Sequence, residues 1–193
     1  GLAAVFIAGA ALWLPQDFHI LDLDGAKIRT SSLIEMGLGV VIGAITFTGS
    51  IVAFLKLNGT MNSKFIIFKR HPKLASQAVA LLLIVLVVLF VQSGSKPIFI
   101  ALTLISFFIG FILVAPVGGA DMPVVVSMLN SYSGCAATGI GFTLSNPLLI
   151  IAGALIGASG AILSYIMCKA MNRSIFNVIF SGFNEQVVSA SSA

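Results

Sequence analysis

The fold of this chain is decided by residues 118–134, which read Gly118-Gly119-Ala120-Asp121-Met122-Pro123-Val124-Val125-Val126-Ser127-Met128-Leu129-Asn130-Ser131-Tyr132-Ser133-Gly134. The stretch runs into an apolar segment, 123–144, that is long enough to cross a bilayer. It nevertheless carries an aspartate at its start, and an asparagine and three serines further in. Polar side chains within a membrane turn toward protein or water, because hydrocarbon offers them no partner. The stretch therefore predicts a transmembrane helix with one polar face.

The composition places the whole chain in a membrane. Hydrophobic residues make up 59% of it and charged residues only 8%, and the mean hydropathy is +1.13, far outside the range of a soluble domain. We predict an all-α, polytopic transmembrane helix bundle with five full spans and a partial N-terminal helix, 2–14, which is too short to cross. The five spans are approximately 33–55, 74–91, 98–116, 123–144 and 148–168.

The predicted transmembrane domain covers residues 1–173. Hydrophobic density falls after residue 173 and residues 181–193 are small and polar, so the segment 174–193 is interpreted as a linker. No GxGxxG follows a strand, and there is no P-loop, no metal-binding Cys or His cluster and no nucleophile elbow. We therefore expect no catalytic residue, cofactor site or metal site in this chain. The modest positive charge is explained by membrane orientation and requires no nucleic acid.

The basic residues predict the orientation. One side of the membrane holds the connections 15–32, 92–97 and 145–147, with three Lys or Arg residues. The other holds 56–73, 117–122 and the C-terminus, with seven. Because cytoplasmic loops carry the excess of basic residues, the second side, with Asp121 and the tail, is predicted to face the cytoplasm or its organellar equivalent.

Local patterns predict two helix starts. Ser32-Leu33-Ile34-Glu35 has the form of a capping box, a structural interpretation that competes with a role for Glu35 at the far-side port. Asn146 followed by Pro147 predicts an N-cap with Pro at the first helical position.

Small residues recur at helical spacing in three predicted spans. Helices in lipid associate where small residues let two backbones approach, so these spans, 33–55, 123–144 and 148–168, are predicted to form the core, shielded by the other two. Plain helix packing is sufficient to explain the glycines. The stripes are Gly39, Gly43, Thr46 and Ser50; Ser127, Ser131, Gly134 and Thr138; and Gly153, Gly157, Gly160 and Ser164.

Asn130 is harder to explain by packing. It follows Asp121 by nine residues, which at ~1.5 Å per residue places it ~13 to 14 Å deep, near the midplane. We expect it to turn inward, either to a structural hydrogen bond between helices or, the interpretation we favour, to a polar pathway. An amide does not titrate near neutral pH, so a proton pathway would need a titrating group from outside this chain.

Residues 118–134 closely resemble the beta subunit of proton-translocating NAD(P) transhydrogenase. The resemblance extends to Gly43-Ala44-Ile45-Thr46-Phe47-Thr48-Gly49-Ser50, to Gly153-Ala154-Leu155 and to Ser159-Gly160-Ala161-Ile162-Leu163-Ser164-Tyr165-Ile166-Met167-Cys168-Lys169-Ala170-Met171-Asn172-Arg173-Ser174. In that family, a hydride passes from NADH to NADP+ between two peripheral domains while the membrane domain moves protons inward.

The resemblance implies a role for several residues. Asp121, Asn130, Ser131 and Ser50 would belong to the proton pathway, and Asp121 and Arg173 would couple it to the NADP-binding domain. A third group would pack or gate the last helix: Gly153, Gly157, Ser159, Gly160 and Ser164.

It also implies that NAD(H) and NADP(H) bind elsewhere in the complete enzyme. The expected partners are lipid, the NAD- and NADP-binding parts and a second protomer. The expected location is a bacterial or mitochondrial inner membrane, with the C-terminus on the cytoplasmic or matrix side.

The sequence departs from the family pattern in two important respects. The family's proton-carrying His lies upstream of the segment matched by 1–9, and the NADP-binding domain would follow the tail. Two alternatives therefore stay open: a self-contained small channel or transporter, and a non-catalytic fragment or scaffold from a split gene. The absence of a charged residue near the midplane argues against the channel.

Overall fold

The computed structural model describes residues 1–18, 20–21, 28–60, 72–115, 117–172, 174–175 and 178, with residues 72–80 and 120 described in their backbone only. This part of the chain is helical, which confirms the predicted all-α class. The six α-helices are α1 (Leu2–Trp13), α2 (Thr30–Leu57), α3 (Pro72–Ser93), α4 (Lys96–Val114), α5 (Met122–Thr143) and α6 (Pro147–Ala170), and a 3-10 helix, Gly119–Asp121, precedes α5.

Three of the helices, α2, α4 and α6, are long and apolar enough to cross a membrane. At ~1.5 Å per residue, the 19 residues of α4 span ~28 Å, close to the thickness of the hydrocarbon layer. The 22 residues of α5 are as long but more polar, as the sequence predicts. The N-terminal helix α1 has only 12 residues.

Helix α2 lies at the centre of the described helices, since it packs against α1, α3, α4 and α5. Helix α5 in turn packs extensively against α6. The predicted core of spans 33–55, 123–144 and 148–168 is therefore correct for α2 and α5 and wrong for α6. Among the described helices, α6 makes its only extensive contact with α5, because its small residues occupy one face and branched apolar residues such as Leu155 and Ile162 are exposed on the others.

The described side chains of α3 agree with the prediction of a lipid-facing helix. Between residues 81 and 93, most of its large apolar side chains are exposed, and Phe90 is buried against α2 and α4. The exposed side chains are Leu81, Leu82, Ile84, Val85, Val88 and Leu89.

Two apolar clusters fill opposite ends of the bundle. The first joins α1 and α3 to the beginnings of α2 and α4 and to the second half of α5. The second joins the ends of α2, α4 and α6 to the beginning of α5. Between the clusters, at mid-depth, the buried side chains are small or polar, and they include Thr46, Ser106 and Ser131. Each end of the bundle thus contains an apolar cluster, and several buried polar side chains lie between the two clusters.

Of the two helix starts predicted from local patterns, one is correct and one is wrong. Asn146 caps α6 as predicted, since its Oδ1 accepts the backbone N–H groups of Leu148 at 3.1 Å and Leu149 at 3.3 Å. The capping box at Ser32 is wrong because α2 begins two residues earlier, at Thr30, after Arg29. Ser32 lies within α2, and its side chain is buried in the bundle. Glu35 lies in the second turn of α2 and is partly exposed.

An aromatic and basic group joins α1 to α4 at the end of the bundle opposite Asp121. The Nζ of Lys96 lies 5.5 Å from the centre of the Trp13 ring, within the range of a cation–π contact. The Trp13 ring in turn meets Phe99 edge-on, with ring centres 6.1 Å apart. The end of α1 is therefore fixed to the start of α4.

Candidate functional site

The contact between α5 and α6 is held by side-chain hydroxyls that donate to glycine carbonyls. Ser127 Oγ donates to Gly160 O at 3.1 Å, and Ser131 Oγ donates to Gly157 O at 2.7 Å. Both serines are buried. The predicted stripes of the two helices therefore face each other, which confirms this part of the sequence prediction.

The glycines of this contact leave almost no free space. A Cβ added to Gly153 would lie 2.6 Å from the backbone nitrogen of Thr138, and one added to Gly160 would lie 2.8 Å from that of Ser131. Gly157 differs, because a Cβ there would meet its nearest neighbour, Ser131 O, at 3.5 Å, an ordinary contact. The two backbones touch directly at Gly153 and Gly160, which no larger residue permits.

The other two gating candidates on α6 differ in burial. Ser164 is buried and donates to Gly160 O at 2.8 Å, so the Gly160 carbonyl accepts two side-chain hydroxyls. Ser159 is exposed and donates to Ile156 O of its own helix at 3.0 Å. Ser159 therefore takes no part in the α5–α6 contact.

Asn130 does not belong to this contact. Its side chain is exposed on the surface of the chain, so the expectation that it turns inward among the helices of this chain is wrong. The reason is the helical step of about 100° per residue. Leu129 packs against Gly49 of α2, and Ser131 points at α6. Asn130 therefore projects from a third side of α5, which faces neither α2 nor α6 and which we call its open side.

Ser50 is exposed as well, and it lies at a similar depth. A Cβ on Gly49 would be 3.0 Å from Leu129, so the residues that follow each of these, Ser50 and Asn130, stand at one level of the bundle. The start of α1 lies against α2 near Phe47, whose backbone nitrogen would be 3.1 Å from a Cβ on Gly1.

Asp121 lies at the N-terminal end of α5. It is closer to the end of the bundle than Ser50 and Asn130, whose shared depth we call the polar level. It ends the 3-10 helix, its backbone N–H donates to Gly118 O at 3.1 Å, and only 6% of its surface is exposed. Gly118 and Gly119, which precede it, are exposed, and a Cβ on either would meet nothing within 4 Å. The buried Asp121 side chain thus lies beside an open glycine turn.

Lys56, one of the basic residues that predict the orientation, also contributes a contact to this region. Lys56, in the last turn of α2, donates from Nζ to Ala115 O and, at 2.7 Å, to Val117 O. These carbonyls lie at the end of α4 and just beyond it. No local pattern could have revealed the contact, because the partners are 59 and 61 residues apart.

A cavity of about 30 Å³ lies beside the second apolar cluster. Its wall is formed by α4, α5 and Val178, with Leu113, Met128 and the Tyr132 ring among the lining side chains. The volume would admit about one water, but such a water needs two to four polar partners. The apolar wall makes this cavity a poor conduit for protons.

Arg173, the second candidate for domain coupling, lies outside the described residues. Within those residues, no group of three or more His, Cys, Asp or Glu side chains is placed to hold a metal ion.

A bundle of apolar helices with a buried carboxylate at one end and exposed polar groups at mid-depth defines an integral membrane protein. The family model of the NAD(P) transhydrogenase beta subunit matches residues 1–193. The chain is 56% identical over 186 residues to the NAD(P) transhydrogenase subunit beta of Rhodospirillum rubrum, and a second protein with this description, from a named strain of the species, gives the same values.

The chain therefore belongs to the NAD(P) transhydrogenase beta subunit family. The alignment covers 96% of the chain but 39% of each relative, so the chain spans about two fifths of the length of the curated relatives it matches. This family membership agrees with the resemblance seen in the sequence, and the long apolar helices support a membrane location.

Proposed function

We propose that this chain is the proton-translocating membrane part of NAD(P) transhydrogenase, which couples inward proton movement to hydride transfer from NADH to NADP+. Helices α2 to α6 would be its five spans, with α1 as a partial helix. The chain would bind neither nucleotide itself and would be inactive alone, with NAD(H) and NADP(H) bound by partner domains. The segment 174–193 would link residues 1–173 to the NADP-binding domain.

One observation carries this proposal: Asn130 and Ser50 stand exposed at one depth, on adjacent helices, about 13 to 14 Å below the Asp121 entrance by helical rise. Exposed polar groups in mid-membrane are costly unless another element or water covers them. We infer that a further helix covers this side and contributes the titrating group. The resemblance to the family suggests that this group is a histidine.

The amide of Asn130 would act by positioning. It can donate two hydrogen bonds and accept two, but it cannot hold the proton itself. It would orient water, or the imidazole of the covering helix, so that a proton reaching mid-depth is passed between them. Ser50 would offer a hydroxyl at this level, and Ser131, one residue from Asn130, would fix the direction of the amide through its bond to α6.

Asp121 and Arg173 would connect this station to the NADP-binding domain. Asp121 is buried beside the exposed turn Gly118–Gly119, where a docked domain could change its surroundings. Proton movement would then be gated by the nucleotide state, a coupling between two distinct sites. The small-residue contact of α6 would keep α5 in place during this change.

The excess of basic residues supports an orientation with Asp121 and the C-terminus on the cytoplasmic or matrix side of an inner membrane. We further propose that two protomers assemble, with the NAD- and NADP-binding parts of the enzyme as partners.

The principal test replaces Asn130 by leucine in the complete enzyme in inverted membrane vesicles. Asn130→Leu should abolish proton pumping, because leucine can neither donate nor accept a hydrogen bond. Val126→Leu is the matched control, since Val126 lies one turn earlier and is also exposed. Pumping and reverse transhydrogenation at unaltered rates in Asn130→Leu would remove Asn130 from the mechanism.

A second test addresses the entrance. Asp121→Asn should change both the affinity for NADP(H) and the pH dependence of the reaction in the full assembly, because it removes a buried charge at the docking face. If neither changes, the coupling role of Asp121 is wrong. Proton flux through this chain reconstituted alone would instead favour a self-contained channel.

A further inference from the structure

The connection between α4 and α5 is anchored at both ends and open between them. Val117 is buried at one end and Asp121 at the other, at 2% and 6% exposure, while Gly118 and Gly119 are exposed. The glycines give this short connection freedom to move, since a side chain is absent from both. Its geometry is therefore set by whatever fixes the two anchors.

Lys56 fixes the first anchor. The last carbonyls of a helix have no partner within it, and a cation near a helix C-terminus is favoured by the helix dipole. The Lys56 ammonium meets both needs at Ala115, the C-cap residue of α4, and it bonds as well to Val117, which lies beyond the helix. The second bond fixes the direction in which the chain leaves α4.

The surrounding side chains make this contact rigid. Val52 and Ala53 of α2 belong to the same buried cluster as Val114 and Val117, and Met122 at the start of α5 joins them. Packed clusters transmit displacement because they are not freely deformable. A shift of the 117–121 turn would thus reach the end of α2 through one charged contact and one apolar contact.

Helix α2 carries this displacement toward the polar level. Ser50 precedes Lys56 by six residues on the same continuous helix, which is ~9 Å along the axis. The docking face and the exposed polar level are therefore joined along α2 as well as along α5. The α2 route needs no side chain of α5 other than those in the cluster.

We propose that Lys56 is a positioning residue that holds the Asp121 turn in the geometry required for coupling, and that it transmits the state of the NADP-binding domain to α2. This inference rests on the proposed function and adds a residue to it. Lys56 touches neither proton nor nucleotide in this role; it acts through the backbone of Ala115 and Val117.

The test compares Lys56→Met, Lys56→Arg and Lys56→Gln in the complete enzyme. Lys56→Met keeps the length of the side chain without its charge or N–H donors. It should weaken apparent NADP(H) affinity by about tenfold, the loss expected for one charge-assisted hydrogen bond, and it should lower the number of protons moved per hydride. Lys56→Arg, which keeps charge and donors, should restore most of both. The matched control, Lys169→Met, removes an exposed lysine from the last turn of α6 and should change neither.

The outcomes separate this inference from the proposed function. If Asp121→Asn alters NADP(H) affinity and coupling while Lys56→Met alters neither, the role of Lys56 is wrong and the entrance role stands. If neither variant has an effect, the entrance role fails too. If Lys56→Met does not accumulate in the membrane, the same comparison is made with Lys56→Gln. Failure of both to accumulate, while Lys56→Arg does, would make Lys56 a folding residue and overturn the coupling role.

Discussion

The two sides of α5 treat polar residues in opposite ways. On the side facing α6, Ser127 and Ser131 are buried and each donates to a glycine carbonyl. On the open side, Asn130 is exposed with no helix of the described chain over it. Asn130 and Ser131 are sequence neighbours, yet Asn130 is exposed on the open side while Ser131 is hydrogen-bonded to α6. A polar residue in a membrane helix is thus a candidate for transport only after its immediate partner is known.

The largest loss of stability is expected on the side of α5 that faces α6, where the two backbones leave the least space. Gly134→Ala would bring a Cβ against the backbone of Gly157 and to 2.7 Å from Gly153 O. Neither backbone can yield easily, so we expect a loss of roughly 1–3 kcal/mol of stability, as for an overpacked core. It is measured as a lower thermal inactivation midpoint at one fixed scan rate in detergent.

The control is Gly139→Ala, on the same helix but facing α2, where a Cβ would meet Glu35 O at 3.7 Å. It should stay within about 0.5 kcal/mol of the unaltered protein. Equal sensitivity at the two glycines would contradict the difference between the two sides of α5.

A smaller contrast is expected within α6 itself. Gly160→Ala places a Cβ 2.8 Å from Ser131 N, whereas Gly157→Ala meets only ordinary contacts of 3.5 Å or more. We expect Gly160→Ala to cost roughly 1–2 kcal/mol and Gly157→Ala well under 1 kcal/mol. The same inactivation midpoints measure both, and a more severe effect at Gly157 would mean that its role lies in motion and not in close packing.

The smallest effect is expected for one interhelical hydrogen bond. Ser131→Ala removes the bond to Gly157 O and should cost roughly 0.5–1 kcal/mol, since such bonds between membrane helices are individually weak. The shift of the midpoint measures this. Proton pumping is recorded in the same preparation, and a loss as complete as that expected for Asn130→Leu would assign Ser131 a direct place on the path.

Hydropathy and the spacing of small residues were sufficient to predict the helical class, the α5–α6 contact and the lipid-facing side of α3. These properties repeat along each helix, so a single sequence carries them. The capping box failed because a local pattern, Ser32 to Glu35, competes with packing, and burial of Ser32 within α2 prevailed.

The direction of Asn130 and the contacts of Lys56 could not be predicted. A residue at the edge of a small-residue stripe turns inward or outward according to where the neighbouring helices lie, and sequence periodicity does not fix that. Lys56 finds its acceptors on another helix almost sixty residues away. The hypothesis that Asn130 belongs to a polar pathway therefore requires a partner from outside the described helices of this chain.

The contact of Trp13 with Lys96 has a consequence for how the bundle sits in its bilayer. Tryptophan and lysine are both residues that settle at the boundary between headgroups and acyl chains. Because the two rest on each other, at 5.5 Å, α1 and α4 share a single anchor at that boundary. We therefore expect a thicker or thinner membrane to shift the end of α1 and the start of α4 together.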